Sequence, residues 1–189
     1  MREKIQKKIK KNNSLYQEGL TYVNERGIKM RIENNSWIKN GQDMLNIQGK
    51  RNNKNVGLAE YNCGGYALNI YGWVKPYNDD YYSYNDAIRG ITSDECAERT
   101  AKDMLETMEG LMRRINSLDE LQKDEFGVLY KCGDDDFHFM KYFPESKRFY
   151  EKPGRCKIRR VSKKDALSDE WVNGWTIYDS KTIMFALKK

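Results

Sequence analysis

The chain has 189 residues and a net charge of +6, with 39% apolar, 12% aromatic and 33% charged side chains. Thirteen tyrosines and that apolar share exclude a disordered polyelectrolyte and support one folded domain with its own core. The sequence holds no long uninterrupted apolar run, so neither a secretory signal nor a transmembrane helix is expected, and a cytoplasmic setting is favoured, with release by lysis as another route out of the cell.

Residues 1–27 read as a basic helical extension, and 28–189 as the main domain. Arg2, Lys4, Lys7, Lys8, Lys10 and Lys11 crowd the start, with Ile5 and Ile9 one helical turn apart. A solvated helix is the plain reading of this segment. A contact with nucleic acid or an anionic surface is the functional one. Ile5, Ile9, Leu15, Leu20 and Val23 predict a helix to about residue 26, closed by Gly27. Residues 28–33 alternate apolar and polar, as a half-exposed strand does. Turns are expected at 34–36 and 39–41, a short strand at 44–48, and a polar loop from Gly49 to Gly57.

The chain then reaches Glu60-Tyr61-Asn62-Cys63-Gly64-Gly65-Tyr66-Ala67-Leu68. A cysteine that opens a helix lies in the positive end of the helix dipole, which favours thiolate, the nucleophilic form. The small residues after it are expected to leave the sulfur open to a substrate. The plainer reading is a small buried hydrophobe. The helix is expected to run to Tyr71 and end at Gly72, with Pro76 beyond. The loop from Tyr77 to Tyr84 reads either as one wall of a cleft or as amphipathic cover.

A second helix is predicted from a capping box, Thr92 with Glu95, followed by Ala97, Ala101, Met104, Leu105, Met108, Leu111, Met112 and Ile115 at helical spacing. Its apolar stripe reads as core. Cys96, in its first turn, is a second candidate nucleophile. A short turn is expected at 117–120. The last third predicts an antiparallel meander of strands at 126–132, 137–143 and 148–152, then a loop or short helix at 163–172 and a central strand at 182–187.

His138, on the middle strand of the meander, is the only histidine in the sequence. It alternates with Phe137 and Phe139, so it faces away from both rings. A nucleophilic cysteine needs a base, and His138 is the natural one for Cys63. A surface histidine is the plainer reading. With one histidine and no Cys-x-x-Cys spacing, no zinc site or other cofactor is expected, and Cys63, Cys96, Cys132 and Cys156 are expected as free thiols.

The order of parts, a cysteine helix followed by a sheet that carries the histidine, resembles the NlpC/P60 group of papain-like cysteine peptidases and amidases. It is also similar to phage and Firmicute proteins with Tyr-Asn-Cys-x-Gly-[Tyr/Phe]-Ala-Leu, Asp-[Phe/Tyr]-His-Phe and Trp-x-His-Lys-x-Gly blocks. The matching residues are Tyr61 to Leu68, Asp136 to Phe139 and Phe149 to Gly154. The resemblance spans residues 58–154, with a weaker echo from Tyr178 to Leu187. It implies an α+β, papain-like fold and cleavage of a peptide or isopeptide bond in a peptide or protein substrate. Cys63 is then the nucleophile, His138 the base and Glu151 the third residue, with Asp135, Asp136 and Asp179 as alternatives to Glu151. Asn62, Tyr61 and Gln48 are the side chains expected near the oxyanion. Asn62 stands where the family has an acid, and Glu151 where a histidine is common. An inactive papain-like binding protein and a nucleic-acid-binding module are the alternatives to the enzyme.

Overall fold

The computed structural model describes residues 62–69, 91–133, 136–154, 156 and 158–189, together with short strands at 21–23, 29–33, 50–51, 54–55 and 73–75. Six strands form one antiparallel sheet. In chain order they are β6 (Met112–Ile115), β7 (Glu125–Cys132), β8 (Phe137–Phe143), β9 (Arg148–Glu151), β10 (Arg159–Val161) and β13 (Ile183–Lys188), and their spatial order is β10-β9-β8-β7-β13-β6. A second sheet joins β1 (Thr21–Val23), β2 (Lys29–Glu33) and β5 (Trp73–Lys75). Two small hairpins complete the described strands: β3 (Lys50–Arg51) with β4 (Lys54–Asn55), and β11 (Trp171–Asn173) with β12 (Thr176–Tyr178). The described helices are α1 (Cys63–Ala67), α2 (Ser93–Thr107) and α3 (Lys163–Ala166). The architecture is α+β, with a mostly antiparallel sheet. No described helix is long and apolar enough to cross a membrane.

Alternation along β7 and β8 sorts the core into two faces. Val128, Tyr130, Cys132, Phe137 and Phe139 pack with α1, α2 and Phe185. On the other face, Leu129, Met140 and Phe149 pack with Ala166, Trp171 and Tyr178. The meander agrees with its sequence pattern, and β13 lies between β7 and β6, a central position as its apolar run requires. The cap of α2 also agrees. Thr92 Oγ1 accepts from the Glu95 N–H at 3.2 Å, and Glu95 accepts in return from the Thr92 N–H at 2.9 Å.

Three expectations are corrected. The helix expected up to residue 26 does not hold at 21–23, where β1 pairs with β2 in the register Thr21↔Arg31. The polar loop from 49 to 57 contains the β3–β4 ladder, Lys50↔Asn55 and Arg51↔Lys54. The long second helix stops at Thr107, because Gly110 takes φ 78° and turns the chain into β6. Met112 and Ile115 are buried as expected, but on an edge strand. The basic residues Arg2 to Lys11, the strand expected at 44–48 and the Tyr77 to Tyr84 loop lie outside the described residues.

The end of β7 fixes the β11–β12 hairpin. The Cys132 N–H donates to Ser180 Oγ at 2.9 Å, and the Ser180 N–H returns to the Cys132 carbonyl at 3.1 Å. Gly133 allows this closeness, since a Cβ there would stand 2.1 Å from the Ile177 carbonyl oxygen. Gly133→Ala must therefore push the hairpin off the sheet. We expect a loss of about 3 kcal/mol, at the upper end of overpacking costs, seen as a lower urea midpoint. An unchanged midpoint would show that the hairpin is not seated there.

Candidate functional site

Asn62 builds the start of α1. Its Oδ1 accepts from the N–H groups of Gly65 and Val74, both at 3.0 Å, and its Nδ2 donates to the Val74 carbonyl at 2.8 Å. One side chain thus caps the helix and ties it to β5. These bonds commit the Asn62 amide to the fold, whereas the sequence suggested a place near the oxyanion. Tyr61 and Gln48 lie outside the described residues.

The helix is shorter than its sequence implied. It ends at Ala67, and Asn69 at φ 56° adopts the left-handed conformation that stops it before Tyr71. The two ends of a single helical turn lie close enough to offset each other, so the dipole argument for Cys63 loses most of its force. The glycines also have another purpose. A Cβ on Gly64 would meet Val74 Cβ at 3.1 Å and the Phe139 ring at 3.4 Å. Gly64 lets α1 press onto the sheet; it does not open the thiol. Cys63 is only 5% exposed, which corrects the expectation of an open sulfur.

Pairing places the other groups. Met140 faces Glu151 across β8 and β9, so His138, two residues earlier, is the diagonal neighbour of Glu151 on the same face. His138 Nε2 and Glu151 Oε2 are 2.7 Å apart. The Cys63 side chain lies close enough to the imidazole to raise its pKa. The Cys63 sulfur also lies 4.0 Å from the Phe137 carbonyl oxygen. The structure therefore brings together Cys63, His138 and Glu151, although they come from distant parts of the chain.

Charge follows from these contacts. Burial would drive the His138 pKa down. Hydrogen bonds to Cys63 and Glu151, with their negative charges, outweigh it and hold the imidazole up at about 9. Burial would likewise raise Glu151, but its bonds to His138 and Arg159 leave it below the ordinary carboxylate value. Arg159 stands directly opposite Glu151 on β10, and its Nε donates to Glu151 Oε1 at 2.6 Å.

Aromatic rings wall the imidazole. Tyr178 stacks on it at 5.3 Å between centroids and 24° between planes, and Trp171 meets it edge-on at 6.1 Å. The Tyr178 hydroxyl donates to Asp136 Oδ2 at 3.0 Å, and Asp136 Oδ1 accepts from the Phe137 N–H at 2.8 Å. Burial, then the charges of Asp136 and Cys63, push the Tyr178 hydroxyl pKa up, so it stays a donor. A cavity of about 440 Å³ opens beside the group, lined in part by His138, Glu151, Arg159, Trp171, Asn173 and Tyr178, with Cys63 outside its lining.

Of the alternatives to Glu151, Asp136 serves Tyr178, Asp179 is exposed, and Asp135 lies outside the described residues. Cys96 is half-buried against the core. Among the described residues, no cluster of three His, Cys, Asp or Glu is arranged to hold a metal ion. Arg159, Trp171 and Tyr178 were missed from sequence. Tyr178 carried a weak signal at the head of the last matching segment. Arg159 carried none without the register of β9 and β10.

No protein-family model, curated protein or solved structure matches this chain. The site is read from its own geometry.

Glu151→Gln removes one of the two groups that hold the imidazolium. Because His138 is the only histidine, its Cε1–H NMR signal titrates alone, and its midpoint should fall from about 9 toward the ordinary 6.5. A raised histidine pKa contributes stability that is full below 6.5 and lost as pH rises through about 9. A lowered Glu151 pKa contributes stability above 4.5 that is lost as pH falls through its folded value. The unfolding deficit of the variant should thus be largest between pH 4.5 and 6.5 and close toward 9. A midpoint held at 9 in the variant would remove Glu151 from this role.

Proposed function

We propose that the chain is a cysteine hydrolase of papain-like arrangement, similar to the NlpC/P60 peptidases and amidases, acting on an amide bond of a peptide or protein. The observation that carries this reading is the gathering of Cys63 and Glu151 around the sole histidine, with Glu151 Oε2 2.7 Å from Nε2. Cysteine, imidazole and an orienting acceptor are the minimum set for thiol-based acyl transfer.

In the proposed reaction the Cys63 thiolate attacks the amide carbonyl carbon. A carbon–sulfur bond forms, and the carbonyl electron pair moves to oxygen. The imidazolium of His138 gives its proton to the leaving nitrogen as the carbon–nitrogen bond breaks. Neutral His138 then takes a proton from water, which attacks the thioester and expels the sulfur as thiolate. Glu151 keeps Nε2 engaged throughout, so Nδ1 exchanges the proton. The first intrahelical bond of α1 runs from the Tyr66 N–H to the Asn62 carbonyl, which leaves the Cys63 N–H outside the helical ladder. Such a donor aimed at the oxyanion lowers the barrier by about 3 kcal/mol.

The 5% exposure of Cys63 favours a second reading, in which the same three residues are a buried polar network in a papain-like scaffold used for binding. Iodoacetamide separates the two. Cys156 is exposed and serves as the internal standard for an ordinary thiol. The hydrolase requires Cys63 to label faster than Cys156 at neutral pH, and His138→Ala to slow Cys63 by about tenfold or more. Rapid labelling of Cys156 with Cys63 left behind supports the scaffold and ends the hydrolase reading.

A further inference from the structure

Glu151 offers two oxygens, and the structure divides them. Oε2 meets His138, and Oε1 meets the Arg159 guanidinium. The arrangement is a row across three strands. His138 on β8 is diagonal to Glu151 on β9, and Arg159 on β10 is directly opposite it. A carboxylate rotates easily about its terminal bond. Left with one partner, Glu151 would swing Oε1 toward the cavity and present either oxygen, or neither, to the ring.

Arg159 differs from its partners in exposure. Its side chain is 57% exposed, whereas those of His138 and Glu151 are 2% and 7% exposed. It reaches inward from the edge strand β10, and it lines the 440 Å³ cavity. An ion pair this open stabilises a fold little. Geometry is the better account of why it is there. We propose that Arg159 is a positioning residue of this site, one that fixes the Glu151 carboxylate so that a single oxygen faces His138, and does so from a cavity open to small ions. The inference rests on the proposed hydrolase, yet it has its own readout.

Among the described residues, the charges that bear on Glu151 are few. His138 faces it from β8 and Arg159 from β10. Arg160, Asp165 and Glu170 line the same cavity from β10, α3 and the segment before β11. Cys63 lies beyond the imidazole. Only Arg159 and His138 bond the carboxylate among these.

The experiment follows the His138 Cε1–H signal and the rate of Cys63 labelling against pH in wild type, Arg159→Gln and Arg159→Lys. Removing the guanidinium leaves Glu151 easier to protonate. In Arg159→Gln the acid limb of both profiles should move up by roughly one pH unit. Arg159→Lys should keep most of the wild-type profile. Guanidinium ion, added to Arg159→Gln well below unfolding concentrations, should enter the vacated cavity and move the limb back. A limb that stays in place in folded Arg159→Gln overturns the inference, and a lower unfolding midpoint with no shift of the limb marks Arg159 as merely structural. If wild-type Cys63 labels slowly, the hydrolase reading fails, while the NMR limb still decides the role of Arg159.

Discussion

A charged imidazole inside a protein must have both nitrogens bonded and its charge opposed, or burial expels its proton. That requirement governs this structure. His138 sits within a sheet at 2% exposure, with a carboxylate on Nε2 and the Cys63 side chain close by. The cap at Asn62, the glycine contact under α1 and the split bonding of Glu151 all hold one of those two partners in place. Loss of either would leave a buried cation with half its compensation. The site is therefore also a demand of the fold, whatever chemistry passes through it.

The same rule extends to the lysines. A chain with net charge +6 places Lys131, Lys141 and Lys152 in its interior, each at 1% exposure or less. Lys131 is the direct cross-strand partner of His138, and its ammonium donates to the carbonyls of Asp169 and Ser180. Those two residues flank the β11–β12 hairpin, so one ammonium draws both of its ends to β7. Burial lowers the pKa of Lys131. Lys141 donates to Asn69 Oδ1 and lies 4.2 Å from the Phe126 ring centroid, which links the end of α1 to β8. Carbonyl oxygens, an amide oxygen and ring faces receive these ammonium groups in the contacts described.

Much of this was legible in the sequence where a local rule decides the outcome. Alternation put His138 opposite Phe137 and Phe139, whereas Glu151 came from the family resemblance and not from a local rule. The α2 cap was explicit in Thr92 and Glu95. The rest depended on contacts that no local rule encodes. Arg159 reaches Glu151 only through the register of a three-residue edge strand. Tyr178 reaches His138 only because Gly133 admits the hairpin. The methionine stripe ran on past Gly110 because a strand that buries Met112 and Ile115 keeps, by coincidence, the spacing of a helix. Gly64 suggested an open thiol, since sequence shows that a residue is small and not what fills the space beside it.

The separation of these parts along the chain has a consequence for synthesis. Cys63 emerges from the ribosome early, followed by α2 and β6, and gains its imidazole only when β8 pairs with β7 and β9. Arg159 and Tyr178 arrive later still. Contacts of such long sequence separation form late and slowly. A nascent chain accordingly carries Cys63 without its imidazole neighbour. The grouping of Cys63, His138, Glu151, Arg159 and Tyr178 is complete only after β10 and the hairpin have docked.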